Sequence, residues 1–195
     1  MLCASVGKAE ISFGAGPHAG VSFSSLPDPS GKYFGTGFLF GAHGDVNIAP
    51  FLTTRLSLDY SIFSSDKEKI KNDLAAQFGG VASDYTAEGL NVSMFSVYVD
   101  GKGKIQTGSS ITPYGLFGLG LNFVSVSESK AVRTADGASL TNPSTSSTDF
   151  GLNFGAGTEF SAGSVILYIE FKYALILSSP SGSHFPIVLG ATFPF

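Results

Sequence analysis

A chain of 195 residues is the length of one domain, and at 43% hydrophobic, 13% charged and a mean hydropathy of +0.25 it must bury a large apolar area or place it in lipid. A net charge of −4, with Lys67, Lys69 and Lys71 interleaved with Asp66, Glu68 and Asp73 and no basic stripe elsewhere, excludes nucleic acid as a partner. No apolar run approaches the roughly 18 residues of a membrane helix: the longest, 165–169 and 174–177, are interrupted by Glu170 and Lys172, so helical membrane crossing is excluded.

The single cysteine, Cys3, rules out an internal disulfide. It lies in Met-Leu-Cys-Ala-Ser without the preceding apolar region of a lipoprotein cleavage site. No signal peptide is visible, so a membrane reading requires that one was removed or left out.

From residue 9 the informative pattern is alternation, because successive strand residues point to opposite faces. Ala9, Ile11, Phe13, Ala15, Val21 and Phe23 oppose Glu10, Ser12, Gly14, Gly16, His18, Gly20 and Ser22. Phe34, Phe38, Phe40 and Ala42 then oppose Tyr33, Gly35, Gly37, Gly41 and His43. Leu52, Leu56, Leu58, Tyr60 and Ile62 oppose Thr53, Arg55, Ser57, Asp59 and Ser61. Residues 90–100 are strand-like too, but the alternation slips near Phe95 and suggests a bulge. Phe117, Leu119, Leu121 and Phe123 oppose Gly118, Gly120 and Asn122, and Phe150, Leu152, Phe154 and Phe160 oppose Asn153, Gly155, Gly157 and Glu159. Leu167, Ile169, Phe171 and Tyr173 oppose Tyr168, Glu170 and Lys172, and the chain ends with Ile187, Leu189, Ala191, Phe193 and Phe195 against Val188, Gly190 and Thr192.

These are eight strands of about 10–15 residues, where a soluble sheet uses about five or six and a tilted strand crosses a bilayer in about 9–11. The polar face is glycine, serine and a few charges, too small for a soluble exterior. It suits the inside of a narrow barrel, with the Phe and Leu face in hydrocarbon. The expected fold is all-β: a closed antiparallel eight-stranded up-and-down transmembrane β-barrel, one domain over 1–195, whose closure leaves no strand edge unpaired in lipid.

The links between strands are 24–32, 43–48, 63–89, 101–110, 127–148, 161–164 and 178–184. The longest two leave the same end, so 24–32, 63–89, 127–148 and 178–184 are expected outside the cell. In 63–89, Ser65 or Asp66 caps a short helix with Ile70, Leu74 and Phe78 on one face. The Ser-, Thr- and Asn-rich stretch 134–148 is expected to be mobile.

Glu10, Arg55, Asp59, Glu159, Glu170 and Lys172 all fall on the inward face. A charge at mid-membrane on the lipid side costs up to a few kcal/mol, and one left alone inside is also costly. Arg55 and Lys172 are therefore expected to bridge several carboxylates and plug a bore wide enough only for side chains. His18 and His184 can meet where the last strand closes on the first, near Ser22 or Ser183. No sequence-local nucleophile, base and oxyanion arrangement accompanies them, and the scattered histidines make a poor metal site. No catalytic residue, cofactor or metal is assigned.

The segments Ile111-Thr-Pro-Tyr-Gly-Leu-Phe-Gly-Leu-Gly-Leu-Asn122, Phe150-Gly-Leu-Asn-Phe-Gly-Ala-Gly-Thr-Glu-Phe160 and Leu167-Tyr-Ile-Glu-Phe-Lys-Tyr173 resemble the later strands of small eight-stranded bacterial outer-membrane proteins, the OmpA, OmpX and OmpW-like group. The ending Gly190-Ala-Thr-Phe-Pro-Phe195 is similar to that group's last strand, although Pro194 is unusual there and the chain has no Trp for an interfacial girdle. The resemblance implies a bacterial outer-membrane location and contact with its lipids and lipopolysaccharide. It also implies an assembly signal at Phe193 and Phe195 read by the barrel assembly machinery, and it transfers no catalytic site. The expected role is structural or surface-interacting, with an extracellular ligand at the loops. The alternatives are a narrow pore or lateral path for small, even hydrophobic, molecules, then an envelope-lipid-modifying enzyme, and last a soluble ligand-binding barrel of lipocalin type.

Overall fold

The computed structural model describes residues 11–25, 31–179 and 181–195. In chain order its elements are β1 (Ser12–Ser25), β2 (Thr36–Ala49), β3 (Leu52–Ser64), α1 (Lys67–Phe78), β4 (Tyr85–Gly89), β5 (Asn91–Lys104), β6 (Ile111–Val126), β7 (Ser129–Arg133), β8 (Ser139–Asn142), β9 (Thr145–Ala162), β10 (Val165–Ile176) and β11 (Gly182–Pro194). β1, β2, β3, β5, β6, β9, β10 and β11 form a closed antiparallel barrel in which each strand pairs with the next. β11 completes the ring on β1, with Ala15 opposite Phe193 and Phe23 opposite Phe185. The barrel strands run from 12 residues in β10 to 18 in β9, enough to cross a bilayer with length to spare. No helix among the described residues is long and apolar enough to cross a membrane.

Period-two patterning decides the faces, and it is inverted relative to a soluble barrel. Phe13, Leu58, Phe154 and Phe171 all point away from the bore and are exposed, while Arg55, Lys102 and Glu170 are at most 2% exposed inside it. Small inward residues make room for them. At Gly118 an added Cβ would lie 1.8 Å from Asp100 Oδ1 and 2.6 Å from Asn153 Oδ1.

Connections at one end are short: Pro50-Phe51, 105–110, and Gly163-Ser164, where Gly163 takes the positive φ of 66° that a two-residue turn needs. The expected links 43–48 and 101–110 are too long. β2 continues to Ala49 and β5 to Lys104, because Asp45, Asn47, Asp100 and Lys102 are inward-facing strand residues. Around Phe95 the pairing of β5 with both neighbours is continuous, so the expected bulge is not there. The hydrophobicity slips because Val92, Met94 and Tyr98 face inward. A register irregularity occurs instead at Asn47/Ala49.

The other end carries the long connections. Asp66 caps α1 through the N–H groups of Glu68 and Lys69 at 3.1 and 3.2 Å. β4, β7 and β8 form a three-stranded sheet separate from the barrel. Much of the stretch expected to be mobile, 134–148, is therefore strand: it holds β8 and the start of β9. Phe34, expected on the outward face, precedes β2 and turns inward, where it joins Phe63, Val92, Met94 and Ile176 in an apolar cluster at this end of the bore.

Candidate functional site

The bore is lined with paired charges. Arg55 on β3 donates Nε–H and an Nη2–H to the two carboxylate oxygens of Asp45 on β2, at 2.7 and 2.9 Å. Its Nη1 lies 3.5 Å from Glu170 on β10, and its guanidinium sits 4.5 Å from the centre of the Tyr168 ring. Glu170 also accepts the Tyr114 hydroxyl at 2.8 Å and lies 3.2 Å from the Lys172 ammonium, which reaches Asp59 at 3.8 Å. Toward the short-turn end, Lys102 bridges Glu159 at 2.5 Å and Asp45 at 3.7 Å, and Lys104 holds the other oxygen of Glu159 at 2.9 Å.

Two of these contacts span the full width of the barrel. β3 and β10 stand four places apart in the eight-membered ring, so Arg55–Glu170 and Asp59–Lys172 join opposite walls. The network extends to the remaining strands. His18 Nε2 on β1 lies 2.5 Å from Asp59, its Nδ1 lies 3.3 Å from His43, and the His43 Nε2 is 2.8 Å from the hydroxyl of Thr192 on β11. With Tyr114 on β6 and Glu159 on β9, every barrel strand contributes a member. Charges desolvated to this degree hold together only when each is paired and hydrogen-bonded.

Of the residues placed inward by alternation, Arg55, Asp59, Glu159, Glu170 and Lys172 are all buried in the bore, and Arg55 and Lys172 each touch two carboxylates. Glu10 lies outside the described residues. Sequence reasoning missed Asp45, Asp100, Lys102 and Lys104, although they continue the same alternation toward the short turns. His18 and His184 do not pair with each other. His18 joins Asp59 and His43, while His184 Nδ1 meets Ser22 Oγ at 2.8 Å. The His184–Ser22 pair lacks an orienting carboxylate: His184 Nε2 is buried and has no partner among the described residues. Phe193 near the end of β11 and Phe195 just past it are exposed, and Phe195 stacks on Phe13 at 6.5 Å.

Outside the bore, α1 lies on β4, and a cavity of about 270 Å³ opens between Leu74 and Phe78 of the helix and Tyr85, Ala131 and Leu140 of the small sheet. Ion pairs tie this end together. Lys32 and Tyr33 bind Asp73, joining the first long connection to α1, and the Lys32 hydrogen bond holds the Asp73 carboxyl below the ordinary range. At the β7–β8 turn, Arg133 and the Ala138 N–H hold Asp136 at about 2. With a folded-state pKa below the ordinary value of about 3.9, that turn keeps its ion pair above the ordinary value and loses it as pH falls through about 2.

A family model described as outer membrane protein beta-barrel domain matches residues 1–193. Among solved structures, the chain is similar to Neisserial surface protein A, at 18% identity and a TM-score of 0.62, covering 95% of this chain and 99% of that one. A major outer membrane protein from Thermus thermophilus gives 15% identity and a TM-score of 0.60, covering 95% and 100%. The attachment invasion locus protein of Yersinia pestis gives 14% identity and a TM-score of 0.52, covering 97% and 100%. At these identities the likeness is one of fold. No curated protein sequence matches the chain.

Proposed function

Because the chain belongs to the outer membrane protein beta-barrel domain family, and so resides in a bacterial outer membrane, we propose that it is a structural, surface-exposed barrel closed by its own side chains. The long connections around 24–32, 63–89, 127–148 and 178–184 face the exterior and carry the interaction surface.

The observation that carries this reading is the pair of contacts across the full width of the bore, Arg55–Glu170 and Asp59–Lys172. A pore needs a water-filled axis. Here ion pairs meet on the axis, and opening one would strand a charge that its neighbours no longer neutralise. The purified barrel in planar lipid bilayers is expected to give no stable, sizeable channels. Their appearance in the unmodified protein would overturn the closed-bore reading in favour of a narrow transporter.

The surface role is supported by what the long connections build: a capped helix on a separate three-stranded sheet, with a cleft between them lined by Leu74, Phe78 and Leu140. Ordering that much chain costs conformational entropy, which a bare linker of strands would not incur. The exposed Phe193 and Phe195 are proposed as the signal read by the barrel assembly machinery. Deleting Phe195 is expected to cut the amount assembled in cells at least several-fold while refolding into detergent continues. Equal assembly in cells would remove that role.

A further inference from the structure

Above the ion pairs the bore changes character. Phe63, Val92, Met94, Val124, Val126 and Ile176 enclose a cavity of about 160 Å³ whose accessible wall is apolar. It is the size of an engineered apolar cavity, about 150 Å³, that stays dry and takes up benzene. Beneath it, one inward position further along β5 and β6, Ser96 and Asn122 join in a hydrogen bond of 2.8 Å that also engages Tyr98, and the charged layer follows. The cavity has a floor.

Three polar residues also stand in this lining, Ser24, Ser183 and His184, of which His184 alone carries ring nitrogens. His184 is 6% exposed, its Nδ1 is taken by Ser22 at 2.8 Å, and its Nε2 is buried without a partner among the described residues. Ser24 Oγ in the same lining is likewise buried without a partner among the described residues, and a buried ring nitrogen left unpaired is a standing cost. A hydroxyl would satisfy it in either tautomer, donating to a bare nitrogen or accepting from an N–H.

The geometry points to a blind binding pocket in the barrel mouth for a small molecule with a ring-sized apolar body and one hydroxyl, of the phenol class, held by His184 Nε2. Apolar contact with Phe63, Met94 and Ile176 supplies affinity, and His184 supplies selection for the hydroxyl. The pocket ends at the polar floor, so it retains its ligand and does not conduct it.

The chain contains only two methionines, Met1 and Met94, and Met94 is 2% exposed in the cavity wall. The full chain, labelled with 13C at the methionine methyls and refolded into lipid nanodiscs, is titrated with phenol and separately with toluene. Saturable movement of the Met94 methyl is expected with both probes, and Val124→Phe, which fills the cavity, should abolish it. Val92→Phe carries the same test if Val124→Phe fails to show folded, heat-modifiable gel migration. His184→Phe keeps the ring but removes the nitrogen, and should weaken phenol about tenfold, the scale of one hydrogen bond, with toluene changed less than twofold. A Met94 shift that grows without saturation, that persists in the filled variant, or that His184→Phe weakens equally for both probes overturns the pocket. The readout is a local methyl shift, so it is independent of whether the barrel conducts or its loops bind a partner.

Discussion

Arg55→Met is expected to destabilise the lipid-embedded barrel by about 3–5 kcal/mol, the range for breaking one side of a buried ion pair. Arg55 is 2% exposed and holds Asp45 with two hydrogen bonds while reaching Glu170 across the bore. Methionine fills much of the volume and keeps contact with the Tyr168 ring, so the loss isolates charge from packing. Asp45 is then left with Lys102 at 3.7 Å, and Glu170 with Lys172 and Tyr114. Adding Asp45→Asn to Arg55→Met should recover part of the loss, because it removes the carboxylate that the first change stranded. The two changes touch and so should couple by roughly 0.5–3 kcal/mol. The chain has no Trp, so unfolding in urea is best followed by heat-modifiable gel migration in lipid vesicles. A single variant within about 0.5 kcal/mol of the parent, the range of an unremarkable surface change, would mean that water solvates these ions, and the closed bore would have to be abandoned.

How far this network could be read from the sequence depends on where each residue sits along its strand. Arg55, Asp59, Glu170 and Lys172 alternate within their strands with outward residues such as Leu56, Leu58 and Phe171, so parity alone assigns them to the inside. Asp45, Lys102 and Lys104 obey the same parity but lie near the short turns, among Gly44, Asn47, Gly101 and Gly103. An inverted barrel's inner face has the composition of a turn, so small and polar residues at a strand end read as the link itself.

At the other end parity and polarity part company. Phe34, Phe63, Val92 and Met94 are apolar and point inward, against the rule that apolar means lipid. That rule holds only where the surroundings are hydrocarbon. Near the long-loop end, beyond the charged layer, an inward apolar residue buries itself against others as in any soluble core. Likewise β4, β7 and β8 are short and pair only with one another. Strands of 4 or 5 residues carry too few alternations to stand out from a Ser- and Thr-rich connection. The pairing of His184 with Ser22 in place of His18 follows from register: Ser24 lies opposite His184 and Gly190 opposite His18, which separates the two histidines along the β1–β11 seam.

Leu119→Arg and Val81→Arg form the second decisive comparison, because the two side chains are equally exposed in the structure, each at 60%. Surface area alone predicts the same small effect for both. Their solvents differ. Leu119 lies mid-strand on β6, between Val99 on β5 and Leu152 on β9, in the outward apolar band. Val81 precedes the turn into β4, at the long-loop end. An arginine at the bilayer midplane of an outer-membrane barrel costs about 2–4 kcal/mol, whereas a loop substitution in water stays within about 0.5 kcal/mol. Leu119→Arg should therefore lose about 2–4 kcal/mol in vesicles, and Val81→Arg should match the parent. Phe51→Arg, at the short-turn end and 62% exposed, should fall between them as an interfacial position. The order matters more than any single value. Hydrocarbon thickness sets a cost that peaks at mid-strand and fades toward both rims, whereas a barrel in water has no such gradient. Equal, near-zero effects at all three positions would put the Phe and Leu face in water and remove the membrane from the account.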